Sequence, residues 1–322
     1  MPPSRFVDPF GRFLDYVRIS ITDRCPFRCR YCYPHEPFSF IPHERILRYE
    51  DILYLLSLFP SWGIRKVRIT GGEPLVRKGV LPFLVKAAAL FPSLYMTTNG
   101  YFLKESAPTL KEASLKGVNV SLDTLDGTSF CKLTGVDGLE RVLSGIDTSL
   151  SLGIPLKINA VAMRETLDQI FPLLSFAAAR GVTLRFIEQM PISSDPGESF
   201  LSQEEVQERI RTRFSLEPLP LEDSASPASL FRIPETGQTV GFISALSHPF
   251  CHRCSKVRIT SDGKIRSCLS SENELSLLEA LRERDPTSLE KIFNDSLKQK
   301  GLKHCFQSFH HHRGRTMGQV GG

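Results

Sequence analysis

No apolar run in this chain approaches the ~20 residues that a membrane-spanning helix needs. The opening stretch "MPPSRFVDPFGRF" lacks the basic-then-apolar layout of a secretion signal. Both absences point to a cytoplasmic protein outside the membrane. There thiols stay reduced, and close cysteines read as metal ligands or catalysts. No Lys/Arg block is dense enough to announce nucleic-acid binding, and the formal net charge of +5 is mild. Either the surface is ordinary, or a few cations are gathered in a pocket for an anionic ligand. Internal repeats beyond a β-α unit and long low-complexity segments are also missing. The most informative shortage is of a fourth cysteine.

The chain has 8 cysteines in 322 residues. Cys25, Cys29 and Cys32 form C-x3-C-x2-C within "DRCPFRCRYCYP", and Cys251, Cys254 and Cys268 form C-x2-C-x13-C. A closed zinc site wants four ligands, and an iron–sulfur cubane that only carries electrons also takes four thiolates. Three thiolates leave one iron open, as a catalytic metal requires. His248 or His252 completing a zinc site at the second triad stays open at this point. Cys131 and Cys305 stand alone and are expected to be small buried hydrophobes.

Six β-rich runs alternate with amphipathic helical patterns. The strands are expected at 15–20, 66–70, 94–99, 117–123, 154–162 and 182–190, with helices near 44–59, 79–90, 103–114, 137–152 and 167–180. This spacing predicts an α/β fold with a parallel sheet curled into a partial, TIM-like (βα)6 barrel over 1–190. Beyond it, 191–322 reads as a C-terminal region. It begins with the turn-rich "PISSDPGES", then a helix over 202–214, a hairpin at "PETGQT" and a second hairpin turning at Asp262-Gly263. Helices near 273–283 and 287–299 follow.

Side chains alternate faces along a strand. Arg18 and Ser20 oppose Val17, Ile19 and Ile21, while Lys66, Arg68 and Thr70 oppose Val67 and Ile69. Thr97 and Asn99, then Asn119, Ser121 and Asp123, then Lys157 and Asn159, share the same phase, and Arg185 lies on the sixth strand. The apolar phase must pack under the helices, so the polar phase points inward. A closed barrel fills its interior with aliphatic side chains. This one is expected to hold a cavity for a polar ligand. Five inward cations would be costly to bury unless a polyanion such as a triphosphate met them. Alternatively, some pair with Glu73, Asp123 or Glu188. After the second strand, "TGGEPL" offers two glycines for close backbone approach to a ligand and a loop carboxylate, Glu73.

"CPFRCRYC" followed by "TGGEPL" resembles the radical S-adenosylmethionine (radical SAM) superfamily. With "TTNG", "VNVSLD", "RFIEQMP", "FCHRCSKVRITSDGKIRSCL" and "MGQVGG", nearly the whole chain resembles the MoaA family of GTP 3′,8-cyclases of molybdenum cofactor biosynthesis. The resemblance implies two [4Fe-4S] clusters, one on Cys25, Cys29 and Cys32 and one on Cys251, Cys254 and Cys268. S-Adenosylmethionine (SAM) would chelate the open iron of the first and yield a 5′-deoxyadenosyl radical. GTP would meet the open iron of the second and become 3′,8-cyclo-7,8-dihydro-GTP, a lyase reaction. By motif match Tyr31, Gly72, Ser121 and Met190 would line the SAM site, with Glu73 and Asn159 as further polar candidates. Arg18, Arg68, Thr97, Lys157, Arg185 and the segment from Lys256 to Arg258 match GTP-binding positions, and strand phase adds Lys66. The family also implies a flavodoxin- or ferredoxin-like electron donor and a downstream cyclic pyranopterin monophosphate synthase. A homodimer is a further expectation, and nucleic acid and membrane are not expected as partners.

The family usually carries Arg where this chain has Lys256, so charge is kept while the planar fork is lost. The tail "RGRTMGQVGG" reads either as a disordered end or, by the resemblance, as a slim Gly321-Gly322 tip that reaches the active site and assists catalysis. The His310-His311-His312 run reads as a solvated or anion-binding segment. Two other functions compete: a radical SAM enzyme acting on a peptide or tRNA, and a non-catalytic iron–sulfur sensor of nucleotides.

Overall fold

The computed structural model describes residues 5–33, 39–192, 196–220, 226–306 and 315–321. Pieces of "PISSDPGES", the His310–His312 run and Gly322 lie outside the described residues. The six anticipated strands form as β1 (Tyr16–Ser20), β2 (Lys66–Thr70), β3 (Leu94–Thr98), β4 (Gly117–Ser121), β5 (Leu156–Ala162) and β6 (Thr183–Glu188). They lie side by side in that order, all parallel. Between them run α1 (Tyr49–Leu58), α2 (Val80–Leu90), α3 (Leu103–Glu112), α4 (Gly127–Thr134), α5 (Leu139–Ser151) and α6 (Ile170–Ala179).

The strand phase explains the curl. Val17, Ile19, Ile21, Val67 and Ile69 are fully buried and pack with the inner faces of the helices, among them Ile52, Leu55 and Leu56 of α1. Each such side chain stabilises the fold by about 1.5–3 kcal/mol. The opposite phase is left to line a bore. Helix α4 is an addition to the expected set. Asp126 caps it by accepting from Ser129 N–H at 2.8 Å, and Gly135, at φ +74°, ends it.

The C-terminal region widens the same sheet at both edges. After α7 (Gln203–Arg211), β7 (Glu217–Pro218), β8 (Ser229–Ile233) and β9 (Gln238–Ile243) form an antiparallel set, and β9 pairs parallel with β6. The chain then crosses to the far edge. There β10 (Lys256–Ile259) pairs parallel with β1, followed by antiparallel β11 (Lys264–Arg266) and β12 (Leu275–Ser276). The result is one 12-stranded sheet, β12-β11-β10-β1-β2-β3-β4-β5-β6-β9-β8-β7. Helices α8 (Leu278–Arg282) and α9 (Pro286–Lys298) follow. Asp285 caps α9 through Thr287 and Ser288 N–H, with Pro286 at its first position. The chain closes with one turn of helix, α10 (Met317–Val320). No helix among the described residues is long and apolar enough to cross a membrane.

Candidate active site

A cavity of about 590 Å³ fills the bore. It is within the size range of small-molecule sites. All six triad cysteines line it, as do Arg18, Lys66, Arg68, Thr97, Lys157, Arg185, Lys256 and Arg258. Tyr31, Gly72, Ser121, Asn159 and Met190 line it as well. The expected site residues are thus brought together, with two qualifications. Glu73 is fully buried but does not line the cavity, and of the tail tip it is Met317 and Gly318 that do so.

Strand direction fixes the layout. Cys25, Cys29 and Cys32 follow β1, so they stand at the C-terminal ends of the parallel strands. Cys251 and Cys254 precede β10, which runs parallel to β1, and Cys268 follows β11, which runs the other way. The second triad therefore stands at the opposite, N-terminal ends. The strands between measure roughly 15 Å. Cations bridge this interval in two rungs. Tyr16 is in register with Lys66 and Lys256, and Arg18 with Arg68 and Arg258.

At the first end, Gly71 and Gly72 line the cavity and have a second task as well. A Cβ on Gly71 would lie 2.6 Å from the Thr22 carbonyl oxygen, and one on Gly72 2.4 Å from that of Arg24. Gly72 and Glu73 N–H donate to the Thr22 and Arg24 carbonyls at 2.7 and 2.8 Å. The glycines let the β2 loop lie backbone to backbone against the cysteine loop. Glu73 sits behind that contact. Its carboxylate accepts from Leu75 N–H, Thr98 hydroxyl and Asn99 N–H at 2.6–2.9 Å, and burial pushes its pKa up to about 7. Asn99 in turn reaches Cys25 Sγ at 3.5 Å. Asp123 accepts from the Tyr31 hydroxyl at 2.6 Å and Val161 N–H at 2.8 Å, and burial raises its pKa to about 6. Glu188 is occupied by the backbone N–H groups of Gln203, Leu246 and Ser247. Each of these three carboxylates thus accepts from backbone N–H or hydroxyl groups close to it. Burial, followed by Glu73, pushes the Cys25 thiol up to about 12, and Cys29 and Cys32 also lie above the ordinary range.

The second end is cationic. Burial pushes the Cys254 thiol up, but Lys300, Lys256 and Arg12 outweigh it and hold the group below the usual thiol range. Lys300 donates to the Lys256 carbonyl at 2.5 Å, and Arg12 to the Cys251 carbonyl at 2.7 Å. Burial lowers Lys256 to about 8 and, with Arg18, lowers Arg258 to about 9. An anion entering here would return both to full charge. His304 lines the cavity, and its Nε2 is buried with no hydrogen-bond partner among the described residues. His248 instead lies 2.9 Å from Glu204 at the surface, and His252 is exposed.

The residues fit iron–sulfur clusters and a polar cosubstrate. Among the described residues no three His, Cys, Asp or Glu side chains converge on a single ion. A cubane asks for less convergence, because each thiolate meets its own iron. Asn159 Oδ1, buried on the cavity wall without a hydrogen-bond partner among the described residues, is a ready acceptor for a ligand amine.

The tail is seated. Arg315 is clasped by Asp262 and Glu274 through four contacts of 2.7–2.9 Å. Met317 N–H donates to the Cys32 carbonyl, and Ser20 hydroxyl to the Gly318 carbonyl. The Gly321 carbonyl accepts from Arg258, and a Cβ there would lie 2.7 Å from Thr70 Cγ2. Residues 315–321 thus pack against the cysteine loop, β1 and β10. A correction also falls on the lone cysteines: Cys131 and Cys305 are exposed. Cys131 sits on the outer face of the unforeseen α4, and Cys305 donates to the Ser270 carbonyl at 3.0 Å. Tyr16, His304, Lys300 and Arg12 were missed. Only Tyr16 carried a signal, since it shares the phase of Arg18.

Residues 19–177 match the Radical SAM superfamily, and residues 182–306 match Molybdenum Cofactor Synthesis C. Proteins called GTP 3′,8-cyclase are similar over nearly the whole chain. That of Marinobacter nauticus is 40% identical over 319 residues, covering 96% of both chains. That of Alkaliphilus metalliredigens is 39% identical, covering 98% of this chain and 99% of its own. That of Campylobacter fetus is 38% identical, covering 94% of each. Among solved structures, Streptococcus suis SuiB bound to S-adenosylmethionine superimposes with a TM-score of 0.66 at 17% identity. The match covers 89% of this chain and 65% of SuiB, and it bears on the fold alone. With six β-α units, two open cysteine triads and this similarity from end to end, the chain belongs to the GTP 3′,8-cyclase family of the radical SAM superfamily.

Proposed function

We propose that this protein is a radical SAM GTP 3′,8-cyclase that converts GTP to 3′,8-cyclo-7,8-dihydro-GTP in molybdenum cofactor biosynthesis. One observation carries the reading. A single cavity joins two three-cysteine sites at opposite ends of the strands, with two cationic rungs between them.

Cys25, Cys29 and Cys32 would hold one [4Fe-4S] cluster and Cys251, Cys254 and Cys268 the other. Bound at the first triad, a cluster supplies the electron for reductive cleavage of S-adenosylmethionine. Tyr31, Gly72, Ser121, Asn159 and Met190 form the wall on which that cosubstrate would rest. Glu73 serves from behind by fixing Asn99 and the cysteine loop. Arg18, Lys66, Arg68, Lys157, Arg185, Lys256 and Arg258 would receive the triphosphate, with Thr97 beside Arg68. Sites for anions built this way gain most where water is excluded. The tail would hold Gly321 against Arg258 and narrow the bore between the two ends. The electron arrives from an external one-electron donor, and the product passes to a synthase that completes the pyranopterin.

The reading is tested anaerobically. The protein is reconstituted with iron and sulfide and given SAM, GTP and a reductant, and 5′-deoxyadenosine and GTP are followed by mass spectrometry. The expected result is 5′-deoxyadenosine formed only with GTP, together with a cyclised isomer of GTP. SAM cleavage indifferent to GTP would leave the first site correct and the substrate wrong.

A further inference from the structure

The sequence assigns Tyr16 no role, yet it occupies the centre of the lower rung. It is buried and lines the cavity. Its Cα register partners are Lys66 on one side and Lys256 on the other. Both ammonium groups lie over its ring, 5.2 and 5.6 Å from the centroid. Its hydroxyl accepts from Arg68 Nε at 2.9 Å, while Arg68 Nη1 donates to the Met96 carbonyl at 2.7 Å. An aliphatic residue would satisfy the fold here. A phenol does three further things: its face attracts the two ammonium groups, its bulk keeps them apart, and its oxygen aims one guanidinium.

We propose that Tyr16 is a substrate-positioning residue that holds Lys66, Arg68 and Lys256 as one set for the phosphates of the nucleotide. This rests on the GTP reading above. The charged groups facing the phenol are Arg18 on its own strand, Lys66 and Arg68 on β2, and Lys256 and Arg258 on β10. Burial raises its pKa, but Arg68, Arg18 and Lys256 outweigh burial and bring it down to about 7. In the free protein the phenol is therefore partly ionised at neutral pH and offsets the cations around it. Phosphates do the same work when they arrive, and they favour the neutral phenol. Nucleotide binding above neutrality is thus accompanied by proton uptake, and affinity falls as rising pH ionises the phenol.

The test uses the reconstituted protein and binding rather than turnover. Affinities for GTP, GDP and guanosine are measured by anaerobic calorimetry for wild type, Tyr16→Phe and Tyr16→Leu, from below to above neutral pH. Tyr16→Phe should weaken GTP by about tenfold, GDP less, and guanosine hardly at all. Tyr16→Leu, which loses the ring as well, should weaken GTP further. The fall of GTP affinity just above neutrality should shrink in Tyr16→Phe, as should the proton uptake, leaving only what Lys256 and Arg258 contribute at higher pH. An equal loss for all three ligands would mark a merely structural role and overturn the proposal. So would an unchanged GTP affinity or unchanged proton uptake. A wild type that binds SAM but no GTP would bring down the substrate reading itself, and Tyr16 with it.

Discussion

The two ends of the bore use the same three-cysteine device in opposite surroundings. At the first end one loop supplies every thiol, and burial with the carboxylates Glu73 and Asp123 raises the thiols against the weaker opposing charge of Arg28. At the second end two separate stretches supply the thiols, Cys251 and Cys254 before β10 and Cys268 after β11, and the neighbours are Lys256, Lys300 and Arg12. The difference teaches that thiol number sets the open iron, whereas the surrounding charge decides what approaches it. Carboxylates and an unpartnered amide suit a cationic sulfonium carrying an amine. Cationic rungs suit a polyphosphate.

This contrast is broken most severely by removing one cysteine from either end. Cys29→Ala should abolish SAM cleavage under all conditions. Cys254→Ala should retain SAM binding at the first triad yet convert no GTP, and each variant should lose one cluster's worth of iron. Conversion of GTP by Cys254→Ala, followed by mass spectrometry, would erase the division between the ends.

The tail closes over the first end, against Cys32, Ser20 and Arg258, and its loss comes next. Deletion of Gly321 and Gly322 should abolish cyclisation while leaving the visible absorption of both clusters intact. Arg315→Ala, which opens the clasp on Asp262 and Glu274 without touching the bore, should slow cyclisation about tenfold, because misplaced groups cost rate steeply. Faster hydrogen exchange at the 316–321 amides would accompany it. A tail that stays protected in Arg315→Ala would show that the clasp is dispensable.

The smallest effect sharpens the cationic end. Lys256→Arg restores a planar fork, and a bidentate contact should tighten GTP binding by a few-fold, roughly 1 kcal/mol. Weaker or unchanged binding in the calorimeter would mean that Tyr16 accommodates only an ammonium beside it.

Much of this was legible in the sequence because the barrel repeats a local rule. Arg18, Lys66 and Arg68 could be assigned inward from alternation with Val17, Val67 and Ile69 alone, and Lys157 and Arg185 followed on the fifth and sixth strands. Helix α4 escaped because its eight residues carry too little periodicity, and its real signals are the Asp126 cap and the Gly135 stop. Gly71 and Gly72 were readable as a close approach, but not as an approach to the backbone of Thr22 and Arg24. The position of the second triad depends on β10 pairing with β1, a contact between residues about 240 apart that no local pattern reports. Tyr16 was in phase, yet an aromatic on a strand reads first as core.

That distant pairing has a consequence for how the protein comes into being. The seam between β1 and β10 joins the first and last thirds of the chain, and such closures are late and slow because long loops must be ordered first. Lys66 and Arg68 stand on one side of the seam and Lys256 and Arg258 on the other, with Tyr16 and Arg18 between. The cationic rungs therefore do not exist until the seam zips. A nucleotide that grips both sides works as its staple, favouring the closed topology by mass action and protecting those strands against local opening.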